Sequence, residues 1–181
     1  MFRILTVKDT VRVGPEKLGK GLKEALMESI SEKYVGISDK TIGIVLAVVD
    51  IKEIGEGKVK PTDPGIHFET VFELLTYKPE LHELVEGEVI DNTDFGAFVN
   101  IGPFDGLVHI SQIMDDYVSY DKKTSTFIGK QTRKTLKIGD KVRARITSVS
   151  WGEQVRIGLT MRQAGLGNFV WIEEEKKKKR K

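Results

Sequence analysis

The 181-residue chain has no cysteine, three histidines, four methionines and five prolines. Without thiols there is no disulfide, no thiol nucleophile and no thiolate metal site, which fits a reducing, cytoplasmic setting. His67, His82 and His109 lie far apart, and none has a second histidine at ligand spacing, so no metal or other cofactor is expected. No apolar run approaches the roughly 18 residues that cross a bilayer. The opening Met-Phe-Arg-Ile-Leu-Thr alternates where a signal peptide would be continuously apolar. No serine sits in a Gly-x-Ser-x-Gly elbow and the acidic residues are scattered, so an enzyme reading has no residues to carry it.

An excess of one charge is also missing. Residues 1–80 carry 12 basic and 13 acidic side chains and residues 81–170 carry 11 of each. The net charge of +2 therefore comes from the end of the chain, where Glu173-Glu-Glu is followed by a basic run to Lys181. Charge alone does not make this a nucleic-acid binder. The tail reads as a solvated end or as a non-specific phosphate contact.

In the first 80 residues, Leu5, Val7, Val11 and Val13 recur at period two and predict a strand. Gly14-Pro15 ends it and opens a helix of about five turns, because proline suits the first helical position. The helix stripe is Leu18, Leu22, Ala25, Leu26, Ile30 and Tyr34, and Gly36 is a natural stop. Ile42–Ile51 is β-branched and almost wholly apolar, as in a strand buried on both faces or one with a helix over it. Ile54–Gly65, with Gly55, Gly57, Pro61, Pro64 and Gly65, reads as a turn-rich loop between strands. Phe68–Tyr77 alternates again and Pro79 closes it. Residues 1–80 are thus expected to form an α+β domain, one helix on a small antiparallel sheet.

From Leu84 the texture becomes short strands with glycine-bearing turns: Val85–Asn92, Phe95–Ile101, Gly106–Ile110, Lys141–Ser150 and Val155–Met161. Five such strands predict an all-β, five-stranded barrel of the OB type over residues 81–163, with residues 164–181 as an extension. Met114–Lys137 interrupts the rhythm and is long for a barrel turn. Its Met114, Tyr117, Val118 and Tyr120 would make an exposed apolar patch, the mark of a partner surface, unless the loop folds back on its own barrel.

Two motifs stand out. Gly14-Pro-Glu-Lys-Leu-Gly-Lys20-Gly21 nearly spells a phosphate-binding loop, but Gly21 lacks the hydroxyl that would hold magnesium, so nucleotide binding is not expected. Phe95 and Phe98 flank a Gly-Ala pair beside a strand turn; one of them could fill the barrel core, but both facing inward would be crowded, because Val99 and Ile101 already supply core. Exposed aromatics on a strand face are platforms for bases, with His109 close behind and Arg143, Arg145 and Arg156 placed to meet phosphates.

Phe-Gly-Ala-Phe-Val (95–99), Gly-Leu-Val-His-Ile-Ser (106–111), Gly-Asp-Lys-Val-Arg-Ala-Arg-Ile (139–146) and Val-Arg-Ile-Gly-Leu-Thr (155–160) resemble an S1 RNA-binding domain. That resemblance implies RNA contacts at Phe95, Phe98, His109 and Arg156. The acidic member of the usual set falls near Ser150, so that contact is altered, with Trp151 beside it as a substitute ring. The whole chain resembles archaeal RNA polymerase E-prime subunits, a family similar to the seventh subunit of eukaryotic RNA polymerase II. This wider resemblance is carried by Ser-Gln-Ile-Met-Asp-Asp-Tyr-Val-Ser-Tyr-Asp (111–121), Asp-Ile-Lys-Glu-Ile-Gly-Glu-Gly (50–57) and Trp-Ile-Glu-Glu-Glu (171–175). It implies a non-catalytic stalk protein that forms a heterodimer with the RNA polymerase F subunit, docks on the polymerase core and meets emerging single-stranded RNA. Core docking would fall to Gly55, Gly57, Pro64 and Gly65 with the helix start near Gly19 and Gly21, and partner binding to Met114, Tyr117 and Tyr120. A free-standing RNA-binding or translation factor, or an S1-bearing ribonuclease component, would use the same barrel. The first has no need of a docking tip, and the second needs clustered carboxylates.

Overall fold

A computed structural model describes residues 1–19, 21–152 and 154–179, without the side chains of residues 178 and 179. It divides the chain into two units, Met1–Lys78 and Pro79–Lys181. The first unit runs β1 (Phe2–Val13), a 3₁₀ turn (Pro15–Lys17), α1 (Leu22–Tyr34), β2 (Ser38–Asp39), β3 (Gly43–Lys60) and β4 (Asp63–Tyr77). Its antiparallel sheet has the order β1-β4-β3-β2. β4 is held on both sides, so Phe68 lies opposite Val11 and Gly57, and Phe72 opposite Val7 and Ile51. α1 covers one face, with Ala25, Leu26 and Ile30 packed on Val11, Val13, Val45 and Phe72.

Two expectations change here. The helix is not five turns long: proline opens only the 3₁₀ turn, and α1 begins at Leu22. Gly19 and Gly21 each cost about 1 kcal/mol inside a helix, and Leu18 and Leu22 are exposed, so no burial offsets that cost. Lys20 of the phosphate-loop-like run lies outside the described residues. At the other end Gly36 stops the helix as expected, in the left-handed region at φ +89°. Of the two forms expected for β3, the structure has the strand with a helix over one face, since Val45 and Ile51 pack with α1 and Val49 is exposed.

The second change concerns Ile54–Gly65, which is not a loop. β3 continues to Lys60 and β4 starts at Asp63, leaving a tight hairpin turn at Pro61-Thr62. Register shifts, including one between Ile54 and Gly57, bend and twist this arm. A Cβ on Gly57 would lie 2.8 Å from the Phe68 ring and 2.9 Å from Ile66 Cγ2, so the glycine permits close strand packing here.

The second unit contains β5 (Leu84–Thr93), β6 (Gly96–Asn100), β7 (Asp105–His109), β8 (Val118–Asp121), β9 (Thr126–Gly129), β10 (Thr135–Leu136), β11 (Lys141–Ser150), β12 (Arg156–Thr160), β13 (Gly167–Asn168) and α2 (Phe169–Lys179). The order β12-β7-β6-β5-β11 closes through the pairing of β11 with β12, giving the five-stranded OB barrel. Inside it sit Val89, Val99, Val108, Val142, Ile146 and Leu159.

The Met114–Lys137 stretch folds back on this barrel as a small sheet of order β10-β9-β8. Phe127 and Leu136 are fully buried, and Met114 joins them in the barrel core. Asn92 on β5 ties the insert down: its Nδ2 donates to the carbonyls of Ser125 (2.8 Å) and Leu136 (3.4 Å), and its own carbonyl accepts from the Tyr120 hydroxyl (2.8 Å). Residues 169–179 are likewise not a loose tail. α2 runs to Lys179 and buries Trp171 and Ile172, while Lys134 Nζ donates to Glu175 Oε1 at 2.8 Å. Arg180 and Lys181 of the basic run lie outside the described residues.

Removal of the Phe127 ring should leave a cavity in the barrel core. Phe127→Ala is expected to destabilise the barrel's unfolding transition by about 3–5 kcal/mol in a denaturant titration. A change within about 0.5 kcal/mol, as for a surface site, would mean that the insert is not part of the core.

Candidate nucleic-acid interface

Along β6, Ala97 and Val99 point into the barrel and are fully buried, so the strand alternation drives Phe98 outward. Phe98 is half-buried there, opposite Asp91 on β5 and Leu107 on β7. Phe95 lies in the turn that leads into β6 and is 47% exposed. The two ring centroids are 6.0 Å apart at 87°, edge to face, which leaves one face of an aromatic pair open to solvent. Beyond Leu107 the register continues to Gly158 on β12 and Ser148 on β11, small residues that leave a low floor next to the rings.

His109 is in the next rung on the same face, two residues from Leu107 and opposite Gly96. Its Nδ1 lies 2.9 Å from Ser111 Oγ and accepts from the Ser111 backbone N–H at 3.3 Å. With Nδ1 occupied as an acceptor, the proton of the neutral ring is on Nε2, a donor on an exposed side chain. Arg156 begins β12, exposed, opposite Ser150. The structure thus brings Phe95, Phe98 and His109 together and sets Arg156 two residues along the same strand from Gly158.

The other two arginines do not join them. Arg143 lies where β11 pairs with β5 and β13, not with β12. Its Nε and Nη2 donate to Glu86 Oε1 at 3.0 and 2.8 Å, and its guanidinium lies 5.3 Å from the Phe169 ring centroid. Arg145 is half-buried between Leu84 and Thr160, with Nε buried and without a partner among the described residues. Arg143 is thus engaged by Glu86 and Phe169, whereas the half-buried Arg145 has no ion-pair or hydrogen-bond partner among the described residues. Both placements come from cross-strand register, which the sequence does not display.

The three residues assigned to a partner separate in the same way. Met114 is buried in the core, and Tyr120 is half-buried with its ring 5.2 Å from that of Phe127. Neither forms the exposed patch expected of them, because the insert needed them for its own packing. Tyr117 alone of the three stands in solvent, 75% exposed. Ser150 is exposed and Trp151 half-buried beside it.

Gly55, Gly57, Pro64 and Gly65 belong to the paired strands of the β3–β4 arm rather than to a mobile loop. The arm is braced at its turn by Asp63, whose carboxylate accepts from Arg12 Nε (2.7 Å) and Nη2 (2.8 Å), from Gly65 N–H (2.9 Å), and meets His67 Nε2 at 2.9 Å. The Arg12 guanidinium, followed by the Gly65 N–H, holds the Asp63 carboxyl well below the usual carboxylate range. This brace therefore contributes in full above the ordinary carboxylate pKa and weakens only as pH falls through the lower folded value.

The S1 RNA binding domain family matches residues 78–160, and the family described as "SHS2 domain found in N terminus of Rpb7p/Rpc25p/MJ0397" matches residues 8–64. The chain is 41% identical to the DNA-directed RNA polymerase subunit Rpo7 of Saccharolobus shibatae, over 98% of this chain and 100% of that protein. It is 40% identical to Rpo7 of Sulfolobus acidocaldarius, over 97% of each. The DNA-directed RNA polymerase III subunit rpc8 of Schizosaccharomyces pombe is 32% identical over 59% of this chain and 53% of its own.

Proposed function

The chain belongs to the Rpo7 family of DNA-directed RNA polymerase subunits, and on that premise we propose that it holds single-stranded RNA on its barrel while residues 1–78 attach it to the polymerase core and to the F subunit. Membership makes it a non-catalytic accessory component of that enzyme. The observation that carries the RNA reading is the outward pair Phe95–Phe98 beside His109, on a floor lowered by Gly158 and Ser148.

Bases of an unpaired strand stack on such rings, each worth about 1–3 kcal/mol, with little regard to sequence. The Nε2–H of His109 is free to donate to a phosphate or base edge, and Arg156 supplies a positive head at the border of the face. With acidic and basic residues balanced in residues 81–170, stacking rather than bulk charge must provide most of the affinity. The binding is therefore weak to moderate, suited to a transcript that slides past as it emerges.

For attachment, the first unit offers what the barrel insert does not. Leu22, Val35, Ile37 and Val49 are exposed apolar side chains. A groove of about 800 Å³ between α1 and β3 is floored by Met27, Leu46 and Val48. A helix of the F subunit would cover that groove, and the β3–β4 arm with Gly55, Gly57, Pro64 and Gly65 would reach the core enzyme. The arm suits that role as a stiff, twisted hairpin.

Affinity for oligouridine should exceed that for duplex RNA. It should fall with salt at a log–log slope of about −0.7 per phosphate contacted. Phe98→Ala should lose roughly 1–3 kcal/mol of it. Duplex binding as tight as single-strand binding would rule out stacking on this face. For the pairing, Val35→Glu places a charge at the exposed rim of the groove without touching the core. Co-expressed with the F subunit, this variant should elute largely as separate chains, and intact co-elution would place the heterodimer contact elsewhere.

A further inference from the structure

Next to the aromatic face lies a concavity of about 480 Å³, walled by Ile110, Ser111, Asp115, Tyr117, Gln131 and Arg162 among others. We propose that it is a nucleobase subsite selective for guanine, taking the base that follows those on Phe95 and Phe98. The proposal rests on the RNA reading above and adds to it a sequence preference that the stacking pair cannot supply.

Continuity comes first. The Ile110 N–H donates to the Phe95 carbonyl at 2.9 Å, and Ser111 Oγ lies 2.9 Å from His109 Nδ1. The near wall of the concavity is therefore bonded directly to the residues of the stacking face. Its volume lies within the range of small-molecule sites, about 300–1,000 Å³, and so can admit a base with its sugar.

A platform comes second. Tyr117 is the most exposed of the large hydrophobic side chains, and its backbone is fixed on both sides. Its N–H donates to Asp116 Oδ1 at 2.6 Å and its carbonyl accepts from the Lys130 N–H at 2.9 Å. The core does not use this ring, and the backbone that carries it is anchored.

The polar groups decide which base fits. Asp116 is occupied internally, accepting from the N–H groups of Gln131 (3.0 Å) and Thr132 (2.8 Å) and from the Thr132 hydroxyl (2.9 Å). Asp115 differs: its Oδ1 takes both Arg162 bonds, from Nε at 2.8 Å and Nη2 at 2.7 Å, and Oδ2 remains as an acceptor on a largely exposed side chain. Arg162 offsets the charge, so the wall does not repel the RNA backbone. A carboxylate acceptor calls for a base edge rich in donors. Guanine offers N1–H and the N2 amino group side by side. Uracil offers one N–H between two carbonyls. Gln131 and Ser111 can each donate or accept toward the rest of the base. Besides the Tyr117 ring, the only apolar wall residues are Ile110 and Val118, against Ser111, Asp115, Asp116, Gln131 and Arg162, whereas the centre of a protein–protein contact is predominantly apolar.

The test uses the full chain and fluorescence anisotropy with decauridine and with the same oligomer carrying one central guanine. The guanine should tighten binding by about fivefold to a hundredfold, the span of one good paired contact. Asp115→Asn should abolish that gain without weakening decauridine binding, Tyr117→Ala should weaken the guanine oligomer most, and Phe98→Ala should weaken both while keeping their ratio. If the parent binds both oligomers equally, or Asp115→Asn keeps the gain, the subsite is overturned while the stacking face stands. If Tyr117→Ala alters no RNA affinity but loosens co-elution with the F subunit, the concavity is a protein contact and the proposal fails. A parent that binds neither oligomer overturns both the subsite and the RNA reading beneath it.

Discussion

Strand β11 pairs with β5 along its first half and with β12 along its second, passing a register shift between Ile146 and Ser148, and this double pairing closes the five strands into a barrel. Closure removes any neutral position for a side chain: each must join Val99, Val108, Ile146 and Leu159 inside or stand outside. Between two fully buried neighbours, Phe98 has no inward option. The hydrophobic cost of leaving it half-exposed is imposed by the pleat, and the aromatic face is a consequence of that geometry. The same double pairing separates the arginines, because residue 143 falls in the β5 half and residue 145 at the crossing to β12.

The insert and the C-terminal helix extend the barrel rather than hang from it. Phe127, Leu136 and Trp171 deepen its core, and Asn92 anchors the insert through its amide and its carbonyl. An element fixed this way holds Tyr117 and Asp115 in place at one side of the stacking face. Had the insert been a free loop, the entropy of ordering those side chains would oppose any contact they made.

The sequence made the barrel legible because its strands keep period two and are punctuated by glycine: all five expected segments coincide with β5, β6, β7, β11 and β12 to within a few residues. Phe98 and His109 were legible for the same reason, since alternation against Val99 and Val108 settles their side of the sheet, whereas Phe95 lies in the turn before β6 and its exposure follows from no alternation. The insert was not legible, because β8, β9 and β10 are two to four residues long and carry no period, and Phe127 and Leu136 look isolated until the chain folds. The β3–β4 arm was misread as a loop because its register shifts break the alternation and its glycines, which permit close packing, also mark turns. The Glu86 partner of Arg143 and the Arg12–Asp63 brace join residues more than 50 positions apart, and no local pattern announces them.

The central claim is that RNA crosses the β6–β7–β12 face of the barrel through rings and not through a field of positive charge. Ultraviolet cross-linking of the full chain to a 4-thiouridine-labelled single strand, with the attached peptides identified by mass spectrometry, tests this most directly. Cross-links should concentrate at Phe95, Phe98 and His109. Cross-links that avoid this segment and gather around Glu86, Arg143 and Phe169, or on residues 1–78, would contradict the account.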